Sequence, residues 1–183
     1  MQTYISILRG INVSGHRLIK MDALKTLCVN LNFKDVQTYI QSGNIIYNYE
    51  NSKYDVLNTL ISETIEKTFG FKVPVITLTA TDLQRIIENN PYSWDETKDP
   101  SFFHVTFLSD KPDPEKIKLL EQVNLKNDAF KIIESTIYIY CPDGYGQTNL
   151  TNNYIESKLN LTATTRNWKT VNELWNIARK IES

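Results

Sequence analysis

At 183 residues and 21.2 kDa, with 41% hydrophobic and 11% aromatic content, the chain can bury a core as one compact unit or two small ones. Twenty basic against 21 acidic residues leave a net charge of −1, which gives no global field for holding a polyanion such as duplex DNA and leaves room only for a local basic pocket. Cys28 and Cys141 belong to no ligand-spaced cluster, and no run approaches the ~18 apolar residues of a membrane span, so a cytoplasmic protein with no metal and no membrane partner is expected.

Residues 4–8 are a short apolar run that reads as a strand, entered directly from the N-terminus without a charged leader. A polar loop over residues 10–20 leads into a helix whose Met21, Leu24, Leu27, Cys28 and Leu31 keep a 3.6-residue spacing. Residues 36–40 and 45–49 flank Ser42-Gly43, a tight hairpin turn. Leu57, Leu60, Ile61, Ile65 and Phe69 make a second amphipathic helix, opened by Ser52 with Asp55 three residues on and closed by Gly70. Residues 71–78 form a strand again, on the sheet edge because Pro74 cannot donate to a ladder. The order β-α-β-β-α-β is that of a ferredoxin-like unit.

A short helix over residues 82–89, capped by Thr81 with Gln84 and stopped by Asn90-Pro91, and a loop with Trp94, Asp99 and Pro100 read as a linker. Then follow a strand over 102–108, a helix opened by Asp113-Pro114, strands over 130–133 and 137–140, a helix over 150–158 and an extended piece over 161–165. The same six-element order recurs, without a residue-level repeat. A last helix buries Val171, Leu174, Trp175, Ala178 and Ile181 on one face. The fold class is therefore α+β: a tandem of two ferredoxin-like halves with antiparallel sheets, residues 1–78 and 101–183, joined by a helical linker over 79–100 and closed by an extra C-terminal helix.

In such a unit the end of the first strand lies beside the start of the third, which brings the loop 10–20 next to the turn 41–44. Arg9, Asn12, Lys20, Gln41, Ser42 and Asn44 then share one sheet edge, a set of donors with two cations and no carboxylate that suits an anionic ligand. In the second half, Cys141-Pro142-Asp143-Gly144-Tyr145-Gly146 and Thr164-Thr165-Arg166-Asn167 fall at a common end. There Asn167 caps the last helix, and Thr165, Arg166 and Lys169 flank its amides.

Taken together these motifs resemble the bacterial family catalogued as domain of unknown function 1697. The residues that carry the resemblance are Leu8-Arg9-Gly10-Ile11-Asn12-Val13 with Lys20-Met21, Tyr39-Ile40-Gln41-Ser42-Gly43-Asn44, Pro142-Asp143-Gly144-Tyr145-Gly146, and Lys158-Leu159 followed by Ala163-Thr164-Thr165-Arg166-Asn167-Trp168. The resemblance implies a tandem of ferredoxin-like units and brings no established activity with it. Ser14 stands where the family pattern usually has a second glycine and Lys169 where it often has asparagine; neither change removes a cation or a cap.

Nucleophilic catalysis lacks its context, because Ser42 lies between two strands instead of on a strand-to-helix elbow, and only His16 and His104 offer imidazole bases. Two distant histidines and two separate cysteines give no zinc spacing, and Gly10-Ile11-Asn12-Val13-Ser14-Gly15 is neither a P-loop nor a dinucleotide fingerprint. No cofactor is implied. The expected function is binding of a small anionic ligand, a nucleotide or phosphorylated metabolite: Arg9, Lys20 and Arg166 supply charge, Asn12, Gln41, Asn44 and Asn167 orientation, Ser42 and Thr165 further donors. The alternatives are a single-stranded nucleic-acid module that stacks bases on Tyr4, Tyr47 and Tyr49, and an enzyme of unidentified reaction.

Overall fold

The apolar run that opens the chain becomes strand β1 (Gln2–Leu8), followed by α1 (Met21–Asn30), β2 (Lys34–Tyr39), β3 (Asn44–Tyr49), α2 (Tyr54–Phe69) and β4 (Val75–Thr79). This is a computed structural model, and it describes residues 1–182. The chain divides into two units, Met1–Arg85 with the residues from Glu173 on, and Ile86–Asn172. In the first, the strand order is β2-β3-β1-β4, with β1 antiparallel to both neighbours. Alternation along the strands sends Tyr4, Leu8, Ile45 and Tyr47 to one face, where Leu24, Leu27 and Cys28 of α1 and Leu57, Ile61 and Ile65 of α2 bury them. Each fully buried Leu or Ile there contributes roughly 1.5–3 kcal/mol. Ser6 shares that face; its hydroxyl meets those of Tyr47 at 3.0 Å and Thr77 at 2.7 Å, so no hydroxyl of the three is buried without a partner.

On the other face Ile5, Ile7, Ile46, Ile76 and Leu78 are also buried. Asn48 accepts a bond from the Thr3 hydroxyl and donates to Asp35 Oδ2 at 2.9 Å and to the Ile181 carbonyl at 3.1 Å, which ties the end of the last helix to the first sheet.

In the second unit the order repeats: β5 (Phe103–Leu108), α4 (Pro114–Leu120), β6 (Ala129–Ile133), β7 (Thr136–Tyr140), α5 (Asn152–Leu159) and β8 (Ala163–Asn167), with sheet order β6-β7-β5-β8. Between the two series lies α3 (Ala80–Glu88), and α6 (Trp168–Glu182) follows the second. The repeat, only topological in the sequence, is in register here. Ser6 stands opposite Thr77 and Thr106 opposite Thr165, each pair with its hydroxyls 2.7 Å apart. Two residues past these partners, Thr79 caps α3 and Asn167 caps α6.

Three local expectations are corrected. Helix α2 is preceded by Lys53, a donor-only side chain that cannot cap, and Ser52 lies one residue earlier with its backbone N–H and carbonyl both bonded to the Tyr4 hydroxyl. Strand β4 begins at Val75, not residue 71: Ser62 on α2 donates to the Val73 carbonyl at 2.7 Å and holds that segment to the helix. Helix α3 starts at Ala80, with Thr79 rather than Thr81 as its cap. The segment 79–100, read as a linker, carries a buried Tyr92 whose ring lies 6.1 Å from Phe103 and 6.2 Å from Tyr140. The last helix, read as wholly part of the second half, belongs to the first unit from Glu173 on.

Candidate functional site at the loop–turn end of the first unit

Where β1 ends, the Leu8 amide donates to the Gly43 carbonyl at 2.9 Å, Ile7 pairs with Asn44, and the Arg9 amide donates to the Pro74 carbonyl at 2.9 Å. The loop over residues 10–20 then folds on itself as a small hairpin: Asn12 N–H to Arg17 C=O at 3.2 Å and His16 N–H to Val13 C=O at 2.9 Å. Asn12 locks it. Its Oδ1 accepts from the Ile19 amide at 2.9 Å, and its Nδ2 donates to the Ile19 carbonyl at 3.0 Å and the Gln41 carbonyl at 2.8 Å. One amide therefore closes the loop and fastens it to the turn over residues 40–43.

Asn44, fully buried, holds that turn by donating to the Tyr39 carbonyl at 2.8 Å and the Ser42 hydroxyl at 3.4 Å. Gly43 has φ +83°, and a Cβ there would fall 2.5 Å from Ile11 Cδ1 and 2.9 Å from Leu8 Cδ1. Only glycine lets the loop side chain Ile11 pack beneath the turn.

The six first-half residues singled out from the sequence thus gather at one end of one sheet, in two roles. Asn12 and Asn44 bond the backbone and build the surface. Lys20 and Gln41 stand exposed on it, with Arg9 and Ser42 half-buried. The structure adds Arg17, exposed like His16 of the same loop. Gly10, at φ +71°, leaves room for the Arg17 guanidinium, whose Nη1 lies 3.7 Å from where a Cβ would stand. The signal for Arg17 was in the sequence: no carboxylate occurs from Leu8 to Met21, while that stretch holds Arg9, His16, Arg17 and Lys20. Helix α1 starts directly after Lys20, whose own side chain does not cap it.

The second-half residues are held differently. Thr165 Oγ1 bridges Thr106 at 2.7 Å and Asn152 at 2.7 Å, and Asn167 Oδ1 accepts from the Thr170 amide at 2.8 Å. The Arg166 guanidinium is buried, the residue 8% exposed, and Nη1 donates to Thr164 Oγ1 at 3.1 Å and the Thr165 carbonyl at 2.9 Å. The Thr165 bonds join β8 to β5 and α5, and these two from Arg166 stay within β8.

Other chemistry finds little footing. Burial pushes the Cys28 and Cys141 thiols up to about 12, far from a reactive thiolate. Burial likewise holds His104 below the usual imidazole range, against the Phe102 carbonyl at 3.2 Å and the Asp128 charge, while its ring stacks on Tyr145 at 4.7 Å. Among the described residues no group of three or more His, Cys, Asp or Glu could hold a metal. Tyr4 and Tyr47, 1% and 0% exposed, lie under the helices, with Phe33 stacked on Tyr47 at 4.1 Å, so neither ring can receive a base. A groove along β2 is lined by Asp22, Lys25, Asp35 and Lys180, two acids against two bases, and has no preferred ligand sign.

Fold and site define an α+β protein of two four-stranded units with a cationic loop–turn end on the first. The chain belongs to the protein family described as "Protein of unknown function (DUF1697)", whose model matches residues 1–138. The motifs at 142–146 and 163–168 lie beyond the matched span. No curated protein matches the chain. Among solved structures it is similar to the conserved bacterial protein SP0830 from Streptococcus pneumoniae, with TM-score 0.72 and 24% identity over 97% of this chain and 98% of that one. That likeness is one of fold.

Proposed function

We propose that the loop–turn end of the first unit binds a small anionic ligand of the phosphate-bearing class, a nucleotide or phosphorylated metabolite. The observation that carries this reading is the Asn12 clamp: three hydrogen bonds fix a loop without carboxylates so that His16, Arg17 and Lys20 stand exposed beside Gln41 and Ser42. A fork of guanidinium donors suits a phosphate oxygen pair, and an ammonium adds a point charge. A fixed loop also loses little conformational entropy when the ligand arrives. Two charge-assisted bonds of about 1.5–3 kcal/mol net each sum to roughly 3–6 kcal/mol, a range that contains an affinity for inorganic phosphate on the order of 1 mM. The second-half cluster joins this reading only as framework, since Arg166 is buried.

The test is thermal unfolding in phosphate against chloride at matched ionic strength. Saturating phosphate should raise the Tm by roughly 2–4 °C, and Arg17→Gln with Lys20→Gln should remove the rise while leaving the Tm in chloride unchanged. An equal rise in the double variant, or none in the unaltered protein, rejects this site.

A further inference from the structure

The loop and turn that present the cations also present three aliphatic side chains. Val13 is 58%, Leu18 66% and Ile40 44% exposed. Val13 is bridged to His16 across the loop hairpin, Leu18 follows Arg17, and Ile40 opens the turn whose Gln41 carbonyl is bonded to Asn12. Cationic and aliphatic side chains thus interleave on one surface, fixed by the Asn12 bonds and by left-handed backbone at Asn12, Ser14 and Arg17.

Three features select the occupant. No carboxylate occurs from Leu8 to Met21 or from Val36 to Tyr49, so the loop and the turn carry cations with no acid of their own. No Phe, Trp or Tyr occurs from Ile5 to Asn32, so the loop itself has no aromatic platform for a nucleobase, and the aromatic beside the turn, Tyr39, is half-buried. Three exposed aliphatic side chains among exposed cations suit a partner that is apolar within and anionic at its boundary.

Resting on the anion-binding reading of this loop, we propose that the anion it takes is the headgroup phosphate of an anionic phospholipid bilayer. His16, Arg17 and Lys20 meet the headgroups, and Val13, Leu18 and Ile40 enter the acyl region just beneath. No helix among the described residues is long and apolar enough to cross a membrane, and none is needed: this contact is peripheral, held by interleaved charge and a few aliphatic side chains. The sequence-based expectation of no membrane partner rested on the lack of a span, and this proposal departs from it.

Co-sedimentation of the full chain with phosphatidylglycerol vesicles and with phosphatidylcholine vesicles tests this, with the phosphate Tm shift measured on the same samples. Binding should favour phosphatidylglycerol by tenfold or more. Arg17→Gln and Lys20→Gln should each lower the partition coefficient about fivefold. Val13→Ser with Leu18→Ser should lower it about tenfold yet leave the phosphate Tm shift in place. A phosphate shift without vesicle binding overturns the bilayer as ligand and leaves the soluble-anion reading standing; absence of both removes both. Vesicle binding that ignores the Val13 and Leu18 changes overturns insertion in favour of simple charge adsorption. Binding of polyglutamate that depends on Val13 and Leu18, without vesicle binding, overturns the proposal in favour of an acidic protein partner.

Discussion

Asn12 sits at φ +53° with both ends of its amide bonded to backbone, and Gly43 sits at φ +83° with Ile11 packed where a Cβ would be. The first holds the loop to the turn and the second lets it come close. Asn12→Ala should therefore cost about 1–3 kcal/mol and free the loop, and Gly43→Ala at least as much, because backbone strain adds to a clash with Ile11 and Leu8. Gly15→Ala, at φ +77° with nothing within 4 Å, meets only the backbone term, about 1 kcal/mol. Urea denaturation of the three variants checks the ranking, and a Gly43→Ala protein as stable as Gly15→Ala would contradict the close packing. Sequence shows that Asn12 and Asn44 carry donors; it does not show which acceptors they meet. For that reason sequence alone points both toward a ligand and does not single out Arg17 beside Lys20.

The junction of β4 and α3 shows how far element boundaries can be read. Thr79-Ala80-Thr81-Asp82 holds two threonines, and Thr81 with Gln84 fits a capping box as well as Thr79 with Asp82 does. The sheet decides: Thr79 is still paired with Tyr4 at the strand end, so the helix begins at once, and Asp82 Oδ2 accepts from the Thr79 amide at 3.0 Å, the Thr79 hydroxyl at 2.7 Å and the Tyr54 hydroxyl. Burial alone would raise the Asp82 carboxyl, but the bonds from Tyr54 and Thr79 with the Arg85 charge outweigh it and hold it below the usual carboxylate range. A carboxyl depressed by folding adds stability that is present above its unfolded value, about 3.9, and is lost as pH falls through the lower folded value. Asp82→Asn should cost about 0.5–2 kcal/mol at pH 7, and the gap between the two proteins should narrow below about pH 4. Guanidinium denaturation at neutral and acid pH measures it; a gap independent of pH would mean that the ionised form of Asp82 has no special part in the cap.

Across the whole chain, both βαββαβ series were legible, because strand and helix periods alternate cleanly and turn residues mark most boundaries. The duplication at residue level was not legible. Ser6 and Thr106, Thr77 and Thr165, and Thr79 and Asn167 share a hydrogen-bonding part and a register, but little else that a sequence comparison detects. The two polar clusters differ in how their bonds run. In the second unit the hydroxyls and Arg166 close on one another, whereas in the first the bonds run through the backbone and leave His16, Arg17, Lys20 and Gln41 outside. The direct test is an amide chemical-shift map of the 15N-labelled chain titrated with inorganic phosphate to tens of millimolar, at constant ionic strength. Changes centred on residues 10–20 and 40–43 are the expected result. Changes centred on residues 165–169, or none at all, would contradict the assignment of anion binding to the first unit.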